Sequence, residues 1–389
     1  MIFVGIDVAK NKHDCYILDS SKEMIETKFS FLNSLEGFTT FKNILSSYSD
    51  DVSNIKVGIE STGHYGNNII NFIRKNSLEV KIFNPLAINL YRKAMTLRKT
   101  KTDKIDAQII AQMLFSDDSN SYLPIDYHIN ELKSLARHRY RLIGHRGKYK
   151  ISVTRILDIA FPELSGVVWS IHQKSSYALL LEFPTVEDIS KAHLTKLTNI
   201  LSKNSKGHYT KEKAKEIKVL ATNSIGTSEW SVGFELQQTI RLIQNIQYEI
   251  DLLDKKIKEV VVATNTPLLT IPGISYVLAS IILSEIGNVK NFSNSGKLLA
   301  FAGLELSTHQ SGNYIANMAR MVKRGSKYLR WALVQTARTV SSRIPIFKEY
   351  LALKGSQGKH YLVAMSHVAK KLLRVIFHLL QNDEIFVSS

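Results

Sequence analysis

The hydrophobic patterning of this chain predicts a mixed α/β N-terminal domain, a helical middle and a mainly α-helical C-terminal domain. Three observations carry that prediction. Up to about residue 125, short apolar runs alternate with helical periodicity. From Glu131 to about Ile159, and again from Leu236 to Val260, apolar residues follow heptad-like spacing. From Leu269 onward the pattern is helical around one apolar-Pro-Gly-apolar turn. The boundaries that follow are 1–125, 126–262 and 263–389.

Taken in order, Ile2 to Val8 and Cys15 to Leu18 flank the polar segment Lys10 to Asp14, which predicts a hairpin. A third strand is expected over Thr27 to Phe31, a helix over Leu35 to Leu45, and a strand over Ile55 to Glu60. Gly66 to Lys75 reads as a helix, and Glu79 to Phe83 as a strand stopped by Asn84-Pro85. Ile240, Ile243, Ile246, Ile250, Leu253, Ile257 and Val260 alternate spacings of three and four. That describes a coiled-coil seam, and Leu132, Leu135, Leu142, Tyr149 and Ile156 make a looser one. The two segments pair as an antiparallel arm, associate between subunits, or pack in one bundle; the spacing leaves all three open. Residues 170–230 read as short helices, with a surface loop at Asn204 to His208. Leu269 to Ile274 is like the glycine turn of a helix-hairpin-helix element, where backbone N–H groups approach a phosphate; a plain helix start explains it equally well. Helices are expected beyond Ser341, the last over His360 to Leu380.

Charge narrows the partner. With 51 Lys+Arg against 34 Asp+Glu, the net charge of +17 favours a polyanion, nucleic acid ahead of an acidic membrane. Cys15 is the only cysteine, which excludes an internal disulfide and a cysteine zinc site. No apolar run approaches the roughly 18 residues a membrane span needs, so a cytoplasmic protein without membrane contact is expected.

Against that basic background, four acids stand out. Asp7 lies inside the apolar run Ile2 to Val8, Glu60 ends Val57-Gly58-Ile59, and Asp103 and Asp106 open a helical pattern. A carboxylate within an apolar strand is costly unless something pairs with it. Asp103 and Asp106 share a helical face, though acids in a first turn also complement the helix dipole. One acid from a first strand, one from a later strand's end and two from a subsequent helix make an RNase H-like layout. Such layouts occur in nucleases of the junction-resolving type and commonly hold two Mg²⁺ ions at a phosphate.

The local sequences Gly5-Ile6-Asp7-Val8-Ala9-Lys10, Glu60-Ser61-Thr62-Gly63-His64-Tyr65 and Lys101-Thr102-Asp103-Lys104-Ile105-Asp106-Ala107 resemble the DEDD-type insertion-sequence transposases. So do Ala300 to Leu304, Gln310 to Asn313 and Lys323 to Arg330. This is the family of bridge-RNA-guided DNA recombinases, with a RuvC-like domain, a coiled-coil region and a C-terminal transposase domain. The resemblance spans essentially the whole chain. It implies that Asp7, Glu60, Asp103 and Asp106 bind Mg²⁺, with Mn²⁺ as a substitute. It further implies that Ser311 of the Ser-Gly motif is the nucleophile, forming a phosphoserine–DNA intermediate. On its residues alone Ser311 is an ordinary loop serine. DNA, a guide RNA and a dimer pairing into a tetramer are the implied partners, in a bacterial or archaeal, nucleoid-associated setting. The chain departs from the family at Leu306, where proline is frequent, and at Ser326, where asparagine is common; both are expected to loosen a turn. Ser307 is a lesser nucleophile candidate. Lys99 and Lys101 beside the acids, and Arg320, Lys323, Arg324, Lys327 and Arg330, are candidate phosphate contacts, with solvated helix faces as the plain alternative. The rival readings are a metal-dependent resolving nuclease without a serine intermediate, and a non-catalytic nucleic-acid-binding protein.

Overall fold

In the computed structural model the apolar run Ile2–Val8 forms β1, the middle strand of a five-stranded sheet. The structure describes residues 1–19, 25–60, 64–83, 85–95, 103–116, 127–306, 310–311, 314–315 and 321–387. They fall into two units, Met1–Pro124 and Ile125–Ser389.

In the first unit, β1 is joined by β2 (Lys12–Asp19), β3 (Ile25–Leu32), β4 (Ile55–Glu60) and β5 (Glu79–Phe83), in the order β3-β2-β1-β4-β5. The first three strands are antiparallel, and β1, β4 and β5 are parallel. Four helices accompany the sheet: α1 (Leu35–Tyr48), α2 (Gly66–Lys75), α3 (Pro85–Met95) and α4 (Asp103–Phe115). On one face Val4, Ile6, Cys15, Ile17, Val57 and Ile59 pack against Phe38, Phe41 and Leu45 of α1 and Ile69 and Ile73 of α2. On the other, Phe3, Tyr16 and Leu18 meet Ala107, Ile110, Ala111 and Leu114 of α4 and Ile88 of α3. Burial on both faces explains why β1 is apolar almost throughout rather than alternating.

Gly5 is where α4 comes closest. A Cβ there would stand 2.1 Å from the Ala107 carbonyl oxygen and 2.5 Å from the Ala111 nitrogen. Two sequence expectations shift. β2 begins at Lys12, so His13 and Asp14 are buried strand residues rather than part of a polar turn. Pro85, expected only to stop β5, is the first residue of α3, where its missing N–H has no helical partner to lose.

The second unit is helical. Its two longest helices, α5 (Tyr127–Ala160) and α11 (Trp230–Ala263), lie antiparallel. Arg139 pairs with Asp254, Arg146 with Gln247, and Arg155 with Glu235 at 2.8 Å, ascending on one helix as they descend on the other. Between them in sequence come α6 (Leu164–Val167), α7 (Lys174–Glu182), α8 (Val186–Lys191), α9 (Leu194–Asn204) and α10 (Lys211–Thr222). These pack on Val153, Ile156 and Leu157 of α5 and Leu236, Ile240 and Ile243 of α11. At the other ends of the pair, Leu132, Ala136, Ile257 and Val261 join a separate core. That core belongs to α12 (Tyr276–Ile286), α13 (Ser295–Phe301), α14 (Lys327–Arg343), α15 (Pro345–Ser356) and α16 (Tyr361–Asn382). Gly273, in the apolar turn before α12, has φ +105°, and its carbonyl accepts a 2.9 Å bond from Thr339 of α14. Among the described residues no helix is long and apolar enough to cross a membrane.

Candidate active site

The sheet register decides which acids share a face. Asp7 is paired directly across from Asp14, and Ile6 stands beside Ile59, which leaves Asp7 and Glu60 at adjacent C-terminal ends of two parallel strands. Residues in register project to one side. Asp7, Asp14 and Glu60 therefore form a row on the side of Gly5 and Tyr16, the side that α4 covers. The direction of α4 follows from its contacts: Phe115 meets Phe3 at 5.3 Å between ring centroids, and Ala107 crosses Gly5. The N-terminal turn of α4, with Asp103 and Asp106, consequently points toward the Asp7 end of β1.

Asp106 is 4% exposed and accepts a 3.2 Å charge-assisted bond from Arg92 Nη1. Arg92, on α3, is itself held by a 2.9 Å bond from its Nη2 to Asn89. Asp14 is equally buried; it accepts from Ser30, and Lys12 Nζ lies 3.7 Å away. Neither Arg92 nor Asp14 was among the candidates the sequence offered. Asp14 was legible in principle, because it alternates in phase with Tyr16 and Leu18.

Like charges set side by side across strands repel, and burial sharpens the cost. A hard divalent cation relieves both, and carboxylate oxygens are the donors such ions prefer. The donor set thus fits a metal of that class. Among the described residues, no three His, Cys, Asp or Glu side chains converge into a ready-made ion site. Of Asp103 only the backbone is described.

Ser311 lies in β6 (Gln310–Ser311), opposite Tyr314 of β7 (Tyr314–Ile315). The backbone of both is described, the Ser311 side chain is not. The segment carrying this hairpin is closed at its base by a bridge between Leu306 and Met321. Next to the bridge, Val322 N–H donates to the Glu305 carbonyl at 2.9 Å, and Lys323 N–H donates to that of Gly303 at 3.2 Å. Arg330 Nη1 donates to the carbonyls of Ala302 at 3.1 Å and Lys323 at 3.3 Å. Arg330 is thus engaged inside the fold, tying the base of the segment together. Lys323, Arg324 and Lys327 are exposed, the last lying over the Tyr328 ring at 5.2 Å. Lys99, Lys101, Arg320 and Ser307 lie outside the described residues.

Ser326 does not loosen its turn. Its hydroxyl accepts the Leu329 N–H at 3.1 Å, capping α14, and donates to Glu285 Oε2 at 2.7 Å. Glu285, on α12 and 3% exposed, also takes a fork from Arg137 of α5, at 2.6 Å from Nε and 2.9 Å from Nη2. Burial alone would raise the Glu285 carboxyl, but the Arg137 bonds, Lys133 and Ser326 together hold it below the usual carboxylate range. The Arg137 guanidinium lies 4.8 Å over the Tyr328 ring. One buried acid therefore binds the long helix α5 to the start of α14.

A family model described as a transposase, the DEDD type of IS110, matches residues 4–162, and a second, the transposase IS116/IS110/IS902 family, matches residues 265–352. The pilin gene-inverting protein of Moraxella lacunata is 23% identical over 391 residues, covering 99% of this chain and 97% of its own. Its counterpart of the same name in Moraxella bovis shows the same identity and coverage, 23%, 99% and 97%. The transposase for insertion sequence element IS1328 of Yersinia enterocolitica is 30% identical over 154 residues, 38% of this chain and 46% of its own. With both family models matched in order and relatives aligned end to end, the chain belongs to the IS110 family of DEDD insertion-sequence transposases and is a DNA transposase/recombinase.

Proposed function

We propose that the chain cuts and rejoins DNA through two half-sites, an acid site on the α4-covered face of an RNase H-like, RuvC-like sheet and the nucleophile Ser311. The observation that carries the acid half is the register: Asp7 and Glu60 end neighbouring parallel strands beneath the N-terminal turn of α4. Asp7, Glu60, Asp103 and Asp106 would hold Mg²⁺, which when bound supplies charge neutralisation at the scissile phosphate. Arg92 fixes the Asp106 carboxylate against the helix, so this ligand is oriented before any ion arrives.

Ser311 then attacks phosphorus. Its Oγ–P bond forms as the bond from phosphorus to one deoxyribose oxygen breaks, and in net terms the serine proton ends on the released oxygen. The phosphoserine–DNA link conserves the bond for rejoining. The Moraxella relatives are named for inverting a pilin gene, an outcome that requires cut ends to be rejoined. Assembly brings Ser311 to the acids, within one chain or between chains, and the α5–α11 pair acts as a coiled-coil arm through which dimers pair into a tetramer. A guide RNA selects the DNA by base pairing while the basic protein holds backbones.

Incubating full-length protein, Mg²⁺ and labelled DNA from its own insertion junctions, then resolving the products under denaturing conditions, tests the reading. A shifted covalent species is expected from the parent and not from Ser311→Ala. Cleavage that survives Ser311→Ala would make the protein a resolving nuclease instead. RNA guidance is checked by sequencing RNA that copurifies, with a discrete structured species expected and a fully RNA-independent reaction counting against it.

A further inference from the structure

Most of the excess charge lies near the C-terminal end: between Ile286 and Asn382 there are 15 Lys and Arg against 2 Asp and Glu. Part of it converges where α15 packs on α16. Lys371 Nζ lies 4.8 Å from the centroid of the Tyr350 ring and 5.8 Å from that of Phe347, and Lys354 Nζ stands 5.3 Å from the same Tyr350 ring. Cation–π contact orients these ammonium groups without neutralising them. His367 sits in the same place. Burial depresses its proton affinity, and Lys370, Lys354 and Lys359 depress it further. Arg374, one helical turn beyond Lys370, adds another positive charge.

Among the described residues no ion pair joins an acid to this cluster. The two helices contain a single acid, Glu349, and the ion pair made by α16 is at its far end, His378 with Glu384. A solvated helix face in a folded protein normally interleaves both signs. Here repulsion is tolerated across two helices, on a surface with a half-buried aromatic at its centre. A polyanion lowers that cost, because bound phosphates replace repulsion with attraction and release counterions. The Ser311 side of the unit already has its own basic group in Lys323, Arg324 and Lys327, while Arg330 is engaged internally.

We propose that the α15–α16 face is a second nucleic-acid-binding surface, which holds the phosphodiester backbone through Lys354, Lys359, Lys370, Lys371 and Arg374 without reading base sequence. It rests on the proposed function only for the class of ligand. Binding is measured without cleavage, so failure of the serine mechanism leaves the result standing.

The test uses full-length protein and fluorescence anisotropy over a salt series. The probes are a duplex DNA of about 30 base pairs and an RNA hairpin of similar charge. The variant Lys370→Gln/Arg374→Gln should weaken binding on the order of tenfold near physiological salt. It should also flatten the plot of log K against log salt by about 1.8, for two lost phosphate contacts. The loss should be the same for unrelated sequences. The arm that loses slope tells whether the surface holds DNA or RNA, and a loss in either supports the proposal. Lys359→Gln/Arg374→Gln alters exposed side chains only and gives the same reading should the first pair disturb folding. Lys211→Gln/Lys215→Gln on α10 removes equal charge from another exposed surface and should match the parent. Parental slope and affinity on both probes, or an equal loss in the α10 control, would overturn the proposal.

Discussion

At the scale of single residues, the acids of this chain serve two different ends. Asp7 and Glu60 are aligned with each other and with α4, whereas Glu285 is bound on every side by cations and a hydroxyl. Replacing Glu285 by Gln leaves Arg137 half-buried without its counter-charge. The expected loss is about 2–3 kcal/mol, below the roughly 3–5 kcal/mol of a fully buried pair because the Arg137 side chain is 39% exposed. Chemical denaturation of parent and variant checks it. The pH dependence has a definite sign. Because the folded-state Glu285 carboxyl is held below its ordinary value, its stabilisation is full above that value and disappears as pH falls through the folded one. The stability gap between parent and Glu285→Gln should therefore be widest near neutrality and close progressively in acid, below about pH 4. A gap that stays constant with pH would show that the carboxylate's charge is not what stabilises the fold. None of this network is visible in the sequence, where Glu285 ends an apolar helical run and Arg137 is far away along the chain. Ser326, which looked like a departure that slackens a turn, is a cap with a second bond.

Elements show the opposite balance, because periodicity is a local signal. The strand Ile55–Glu60, the helix Gly66–Lys75 and the strand Glu79–Phe83 are where alternation and helical spacing place them. In the apolar stripe of α11, Ile240, Ile243, Ile250 and Ile257 are buried and Ile246, Leu253 and Val260 half-buried. The start of β2 was not legible, since Lys12 and His13 carry turn-like polarity, yet His13 pairs with Val8 of β1 and its ring packs against Phe31 and Phe38. Pro85 misled for a related reason: proline marks a helix start as well as a strand's end. The contact between β1 and α4 is the element pairing on which the acid site depends. Gly5→Ala forces a Cβ against the Ala107 carbonyl, so α4 must lift, taking Asp106 with it. A destabilisation of about 1–3 kcal/mol and a loss of DNA cleavage are expected, read by thermal melting and by a nicking assay. Normal cleavage in a folded Gly5→Ala protein would mean that the acids act without α4 seated where it is.

Over the whole molecule, the proposed reaction needs both the acids of the first unit and the serine hairpin of the second, and a net charge of +17 suits a nucleic-acid substrate. Asp7 stood out as a carboxylate inside an apolar strand and Glu60 as one at a strand's end, and the sheet register puts the two on one side. The serine half was not legible from residue chemistry, because a serine beside a glycine in a short hairpin has no local mark of reactivity; family resemblance alone singled it out. Asp7→Asn and Ser311→Ala should therefore fail alike in strand transfer while keeping DNA binding, the first by losing a ligand of the ion and the second by losing the attacking oxygen. The most direct measurement is mass spectrometry of the covalent species trapped from parent protein, Mg²⁺ and junction DNA. The proposed serine mechanism predicts a nucleotide linked through phosphate to Ser311, absent from Asp7→Asn and Ser311→Ala. Parent protein that cleaves with no such adduct, or an adduct on any other residue, would contradict it.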